Sequence, residues 1–269
     1  MNFVCPYDKG QLKVYEGDIY SCTVCNKKFF KNNGIYFFYN VEDNLWLNYG
    51  KSSKIYNRSE PLLPSHFWMD LVAESRPFKS TDVVFDLGAG DGAQTSALSN
   101  KVKELHWIDL SYYQLQKACR RQLNNAVCVF SDVTKLPYND SVCDVCISVF
   151  LFEHVPYDQS ILMLKEANRI LKKGGVFLLV TENPVGEYVY KLAINKVTGI
   201  SFGTPDPTHV NMLFPNHTRK LLLQSGFKII KSYIPIIGQN RFPLLKKILP
   251  GFISRNLFNI SYGYICEKI

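Results

Sequence analysis

Asp86 closes the apolar run Val83-Val84-Phe85 and leads into Leu87-Gly88-Ala89-Gly90-Asp91-Gly92. Glycines at alternate positions let a backbone approach a ligand where a Cβ would clash. Residues 93–100 read as a helix, so the stretch is strand, tight turn, helix. The turn stands at the carboxyl end of a first strand, where open α/β sheets bind ligands. The spacing differs from the G-x-G-x-x-G of dinucleotide folds, and the Gly-Lys-Ser/Thr ending of a phosphate loop is absent. Asp109 closes a second strand candidate, Leu105 to Ile108. A carboxylate there can accept both hydroxyls of a ribose. Asp132 follows a third strand, Ala126 to Phe130, and Glu153 and His154 follow a fourth, Val142 to Phe150.

Two further sets of residues could do chemistry. Cys5, Asp8, Cys22 and Cys25 form two knuckles with a strand-like segment between them. Zinc accepts thiolate sulfur and carboxylate oxygen, so three cysteines with Asp8 make a workable ligand set; the other reading is a ribbon held by its aromatic core of Phe29, Phe30, Tyr36, Phe37 and Phe38. His154 and His209 carry imidazoles, which suit general-base work near neutral pH; each also reads as an ordinary packed residue. Glu153 and Glu182 are weaker alternatives.

The elements that position these groups alternate. Strands precede helices at 93–100, 112–123 and 159–171, with Ser111 and Asp158 as N-caps and Lys172-Lys173-Gly174-Gly175 ending the last. A fifth strand follows at 176–180, a helix at 216–224, and strands at 227–234 and 258–266. Such alternation implies a parallel sheet with helices on both faces.

The segments DLGAGDG, WIDLS, SDVTKLPY, DVCISVFLFEHV and EANRILKKGG, in that order over roughly residues 81–182, resemble class I S-adenosylmethionine-dependent methyltransferases of the type 11 kind. The resemblance implies an α/β, Rossmann-like fold: seven mostly parallel strands with the last antiparallel, preceded by a small β ribbon. It implies S-adenosylmethionine as cofactor. Asp86 and the turn through Gly88, Ala89, Gly90 and Gly92 would take its methionine end. Asp109 with Leu110 would take the ribose, Asp132 and Val133 the adenine, and the backbone at Phe150 would border the site. Lys31-Asn32-Asn33-Gly34-Ile35-Tyr36-Phe37 is similar to the tail of Trm112-like zinc ribbons, with Asp8 where that pattern has a cysteine. The "HV" at His209-Val210 with Phe214-Pro215 resembles small-molecule members.

These readings divide the chain into a ribbon at 1–40, a linker with lid helices at 41–80 carrying Tyr56 and Trp68, and a methyltransferase domain at 81–269 with insertions at about 183–215 and 235–257. The acceptor they favour is a small or lipid-linked molecule. An RNA base is the alternative, and a non-catalytic binding protein of this fold is a third reading.

The 269 residues are 46% hydrophobic and 20% charged, as in a globular protein, and no apolar run reaches membrane-helix length. Residues 1–6 lack the basic start and apolar core of a signal peptide, so the expectation is cytoplasmic. A net charge of +8 suits an anionic partner or a solvated basic surface. Basic and apolar residues interleave at 239–256, as in segments that touch a membrane surface; a surface insertion packed on the core gives the same pattern. The cysteines at 119, 128, 143, 146 and 266 are expected to be buried and reduced. Cys143 and Cys146, on one strand, are expected to face opposite ways.

Overall fold

The structure, a computed structural model, describes residues 3–39, 67–184, 206–233 and 261–269. Tyr56 and most of the linker expected to carry lid helices at 41–80, the segment 239–256 and most of 183–215 lie outside them.

Four short strands come first: β1 (Leu12–Glu16), β2 (Ile19–Cys22), β3 (Lys28–Asn32) and β4 (Ile35–Phe37). Helix α1 (Phe67–Ser75) leads to β5 (Val83–Leu87), β6 (Glu104–Asp109), α2 (Tyr112–Cys119) and β7 (Ala126–Phe130). Then come β8 (Cys143–Val149), α3 (Tyr157–Ile170), β9 (Leu171–Glu182), α4 (Pro215–Gln224), β10 (Phe227–Tyr233) and β11 (Ser261–Lys268).

The described strands form one sheet in the order β1-β2-β3-β4-β7-β6-β5-β8-β9-β11-β10. Strands β4 to β9 run parallel across β4–β7, β7–β6, β6–β5, β5–β8 and β8–β9. β11 is antiparallel to both β9 and β10. The order reverses between β5 and β8, the switch point at which such sheets open a crevice beyond their carboxyl ends. One face of the sheet buries Phe85, Ile108, Val129, Phe177 and Leu179, and the other Val84, Trp107, Val145, Leu178 and Val180. Burial on both faces explains why these strands read as unbroken apolar runs.

The ribbon continues this sheet. β4 pairs in parallel with β7, Ile35 opposite Cys128 and Phe37 opposite Phe130, and the Val4 amide donates to Pro137 O at 3.0 Å. Phe3 packs against Tyr36, Phe38 and Tyr138 with ring centroids 4.8, 4.8 and 5.2 Å away. The edge of β7, which would otherwise present unpaired backbone groups, is thereby covered.

Several local expectations change. Residues 93–100 hold only a 3-10 turn at Ser96–Leu98. The Thr95 hydroxyl bonds Asp86 and the Ser96 hydroxyl bonds Ala93 O, so side chains draw this stretch away from a regular helix. Ser111 caps α2 as expected, accepting from the Gln114 amide. Asp158 is not a cap: α3 starts one residue earlier, behind Pro156, and Asp158 lies in its first turn, where a carboxylate suits the helix dipole. At the other end of α3, Lys172 reaches Asp144, and Lys268 of β11 donates to Leu171 O at 2.7 Å and Arg169 O at 3.2 Å.

Cys143 and Cys146 do not face opposite ways. The β8–β9 register shifts between Cys143 and Val145, and that irregularity turns both thiols into the same core cluster. Burial pushes both thiols up, which leaves them inert packing groups. Cys119 and Cys128 are also not the free thiols expected, since packing of α2 on β7 brings them together as a disulfide pair with Cα atoms 6.4 Å apart.

Candidate active site

The turn after β5 is shaped by its neighbours. Gly88, Gly90 and Gly92 have φ of +74°, +57° and +74°, the region glycine enters without strain. A Cβ on Gly88 would stand 2.7 Å from Leu151, and one on Gly92 would stand 2.7 Å from the Trp107 ring; at Gly90 there is open space. The outer glycines therefore serve packing, and Gly90 keeps the middle of the turn bare.

Two carboxylates hold the turn from below. Asp86 is buried; its Oδ2 accepts the Thr95 hydroxyl at 2.7 Å, and Thr95 Oγ1 accepts the Trp107 indole N–H at 2.9 Å. Burial, reinforced by the charge of Asp109, raises Asp86 to about 7. Asp109 accepts the Gly90 amide at 2.8 Å on Oδ2 and the Ser111 amide at 2.7 Å on Oδ1. Burial raises its carboxyl too, opposed by those backbone amides.

A cleft of about 430 Å³, open solvent included, lies beyond these strand ends. Its walls include Gly88, Asp109, Leu110, Asp132, Val133 and His154. So the structure brings these sequence-selected residues together. Asp86 lies behind the turn, and Ala89, Gly90, Gly92, Phe150 and His209 are not in the lining. Asp132 accepts both the amide and the hydroxyl of Thr134 on Oδ1 at 2.8 Å, which fixes its side chain at the end of β7. Phe150 follows β8 with φ +57°, its amide bonded to Val180 O at 3.0 Å and its ring edge-on to Trp68. A non-glycine residue held there is a strained position of the kind that clusters at functional loops.

His154, in a 3-10 turn at Phe152–His154, brings Nδ1 to 3.1 Å from both Thr208 O and Thr208 Oγ1. His209 meets it edge-to-face with ring centroids 4.8 Å apart. His209 Nδ1 lies 3.8 Å from Glu182 Oε2 and its Nε2 3.9 Å from Asp206 Oδ2. Two histidines far apart in sequence thus meet beside the cleft.

In the ribbon, Cys5, Asp8, Cys22 and Cys25 converge, their ligand atoms all within 4.8 Å of one another. Cys5 Sγ and Cys25 Sγ are 3.6 Å apart, and Cys22 Sγ is 3.3 Å from Asp8 Oδ1. A tetrahedral zinc with Zn–S bonds of about 2.3 Å spaces its sulfurs by roughly 3.7 Å. The donor set therefore fits a zinc ion.

Sequence reasoning missed Thr95, which links Asp86 to the Trp107 ring, and Leu151, which packs against Gly88. It also missed Thr208. No local pattern marks these, because each acts through a residue on another element.

A sheet reversing at this crevice, with the last strand antiparallel, is a Rossmann-like methyltransferase fold. Residues 85–179 match the family model described as a methyltransferase domain. A demethylmenaquinone methyltransferase of Staphylococcus haemolyticus is 31% identical over 134 residues, 46% of this chain and 55% of that protein. The chain spans about half the length of the curated relatives it matches. Among solved structures, a complex between the Haloferax volcanii Trm112 methyltransferase activator and a putative methyltransferase aligns with TM-score 0.57 at 18% identity, covering 82% of this chain and 95% of that one. An S-adenosylmethionine-dependent methyltransferase from Archaeoglobus fulgidus aligns with TM-score 0.56 at 18% identity, covering 82% and 100%. Residues 85–179 are thus similar to a methyltransferase domain, and the solved structures share the fold.

Proposed function

We propose that this protein transfers a methyl group from S-adenosylmethionine to a small or lipid-linked acceptor. The observation that carries the reading is the convergence of Gly88, Asp109, Asp132 and His154 on one cleft. When bound, S-adenosylmethionine supplies an electrophilic methyl on a sulfonium. Gly90 leaves space for its methionine end, and Asp109 accepts ribose hydroxyls. Asp132 accepts the adenine amino group, beside Val133. His154 and His209 stand at the acceptor end. An acceptor hydroxyl held there would give its proton to one of these imidazoles. The chain's contribution is alignment, exclusion of water and that proton transfer.

The ribbon in this reading is a Trm112-like element carrying structural zinc on Cys5, Asp8, Cys22 and Cys25. The Haloferax neighbour is named as an activator in complex with a methyltransferase. Here a ribbon on the same chain, bonded to β7, would brace the strand that Asp132 follows. No helix among the described residues is long and apolar enough to cross a membrane.

An RNA acceptor is favoured by one feature. Lys13, Lys27 and Lys28 are exposed on the ribbon with Tyr15 and Phe30, and Lys28 Nζ lies 3.9 Å over the Tyr15 ring.

Calorimetric titration with S-adenosylmethionine and S-adenosylhomocysteine tests the cofactor. Micromolar binding of both is expected; a folded protein that binds neither ends the enzyme reading and leaves a binding protein of this fold. Labelled methyl transfer to lipid and small-molecule extracts, against transfer to RNA, then separates the acceptors. An RNA enzyme would show binding that falls steeply with salt.

A further inference from the structure

Glu153, His154 and His209 form a second cluster of metal-ligating groups, apart from the ribbon. Their ligand atoms all lie within 4.8 Å of one another. They come from two segments far apart in sequence, and all three side chains are almost wholly buried: Glu153 is 0% and His154 6% exposed, and the His209 side chain is 3% exposed. From these residues we infer that the acceptor end of the cleft holds a binding site for a divalent transition-metal ion.

The side chains are held for that role. Thr181 donates its hydroxyl to Glu153 Oε2 at 2.8 Å, which fixes one carboxylate oxygen. His154 Nδ1 faces Thr208 O at 3.1 Å. A carbonyl oxygen only accepts, so Nδ1 carries the proton and the neutral ring keeps its lone pair on Nε2. Orientation of a ligating histidine by a backbone carbonyl is the usual second-shell arrangement in metal sites. Around the imidazoles stand three carboxylates, from Glu153, Glu182 and Asp206, the last two within 3.9 Å of His209 nitrogens.

Donor type narrows the ion. Two imidazoles with one carboxylate favour zinc, manganese, iron, cobalt or nickel over magnesium or calcium, which take oxygen ligands. Bonds of about 2.1 Å space neighbouring ligand atoms by roughly 3 Å, so the side chains close by an ångström or two around the ion. The ion would stand beside His154 on the cleft wall and hold an acceptor oxygen, favouring its deprotonated form. That last role rests on the methyltransferase reading; the site itself does not. With the ion bound, the imidazoles act by holding it and not by taking a proton.

The test is a titration of the full chain with manganese(II), followed by the paramagnetic signal of the free ion, because this harder ion discriminates against the ribbon thiolates. Cobalt(II) spectra, in which thiolate ligation gives charge-transfer bands, count the ribbon site separately. The expected result is one manganese per chain, an affinity at least tenfold weaker in His209→Ala and in Glu153→Gln, and unchanged cobalt–thiolate bands in both. S-adenosylhomocysteine binding, measured alongside, reports on the cofactor reading independently. A wild-type chain that binds no manganese overturns the site whatever the variants do. So does an affinity in both variants equal to that of the wild type, which would put the manganese elsewhere than on Glu153 and His209.

Discussion

Asp109 accepts the Gly90 amide at 2.8 Å, so the carboxylate that ends β6 also clamps the turn that ends β5. In the proposed reading cofactor binding and turn geometry would share one side chain. Asp109→Ala removes the clamp and, in that reading, the ribose acceptor. It should weaken S-adenosylhomocysteine binding by about 1–3 kcal/mol, read by calorimetry. Asp109→Asn keeps an oxygen that can accept from Gly90 and should lose less. Equal affinity in wild type and Asp109→Ala would remove this residue from the site.

Asp86 should make stability fall as pH rises. Its carboxyl moves from an ordinary value of 3.8 to about 7 in the folded chain, chiefly through burial. Between those values the folded state holds a proton that the unfolded state has released. Stability from this group is thus full below about 4 and lost by about 7. Asp86→Asn should flatten the slope between these limits by on the order of 1–4 kcal/mol, seen in urea denaturation at a series of pH values. A slope identical in both proteins would mean that Asp86 ionises normally.

The three turn glycines should differ in cost. Gly92→Ala and Gly88→Ala each add a Cβ 2.7 Å from a neighbouring side chain, the buried Trp107 and the partly buried Leu151, in a backbone region that disfavours side chains. Each should cost roughly 2–4 kcal/mol, the strain of overpacking added to that of positive φ. Gly90→Ala meets open space and should cost only about 1–2 kcal/mol. The same alanine should nevertheless impair cofactor binding most per unit of stability lost, because it fills the bare part of the turn. Denaturation midpoints and calorimetry on the three variants give the ranking.

The ribbon metal set offers a gain-of-affinity prediction. Asp8→Cys replaces a carboxylate by a softer thiolate and should tighten zinc binding at least tenfold in a competition titration with a chelator. Cys22→Ser should lower it. Because β4 is hydrogen-bonded to β7, metal removal should also lower the melting temperature of the whole chain by several degrees. Melting unaffected by a strong chelator would favour the aromatic core as what holds the ribbon.

A further coupling runs through Glu166. Its Oε2 accepts from Lys9 at 3.3 Å, from the Leu136 amide at 2.8 Å and from Arg169 Nη2 at 2.8 Å. Glu166→Ala would leave a half-buried guanidinium without its main partner and unfasten the ribbon. A loss of about 1–3 kcal/mol is expected.

Much of this protein is legible from its residues. The apolar runs ending in Asp86 and Asp109, and the one followed by Asp132, fix strands whose ends lie together, because a parallel sheet with right-handed crossovers aligns all its carboxyl ends. Alternate glycines mark the turn, since only they accept positive φ beside bulky neighbours. Ser111 is a cap by type and place. The spacing of Cys5, Asp8, Cys22 and Cys25 suggests that they meet, and their ligand atoms do converge.

Contacts between distant segments were decided elsewhere. Whether residues 93–100 made a helix depended on Asp86 capturing the Thr95 hydroxyl. The facing of Cys143 and Cys146 depended on a register shift against β9, which period-two reasoning along one strand does not contain. The meeting of His154 with His209, and the pairing of β4 with β7, are likewise properties of packing. Sequence determines what each segment can form, through local propensity and apolar period. Tertiary structure determines which polar groups, buried together, must satisfy one another, and that is what built the site.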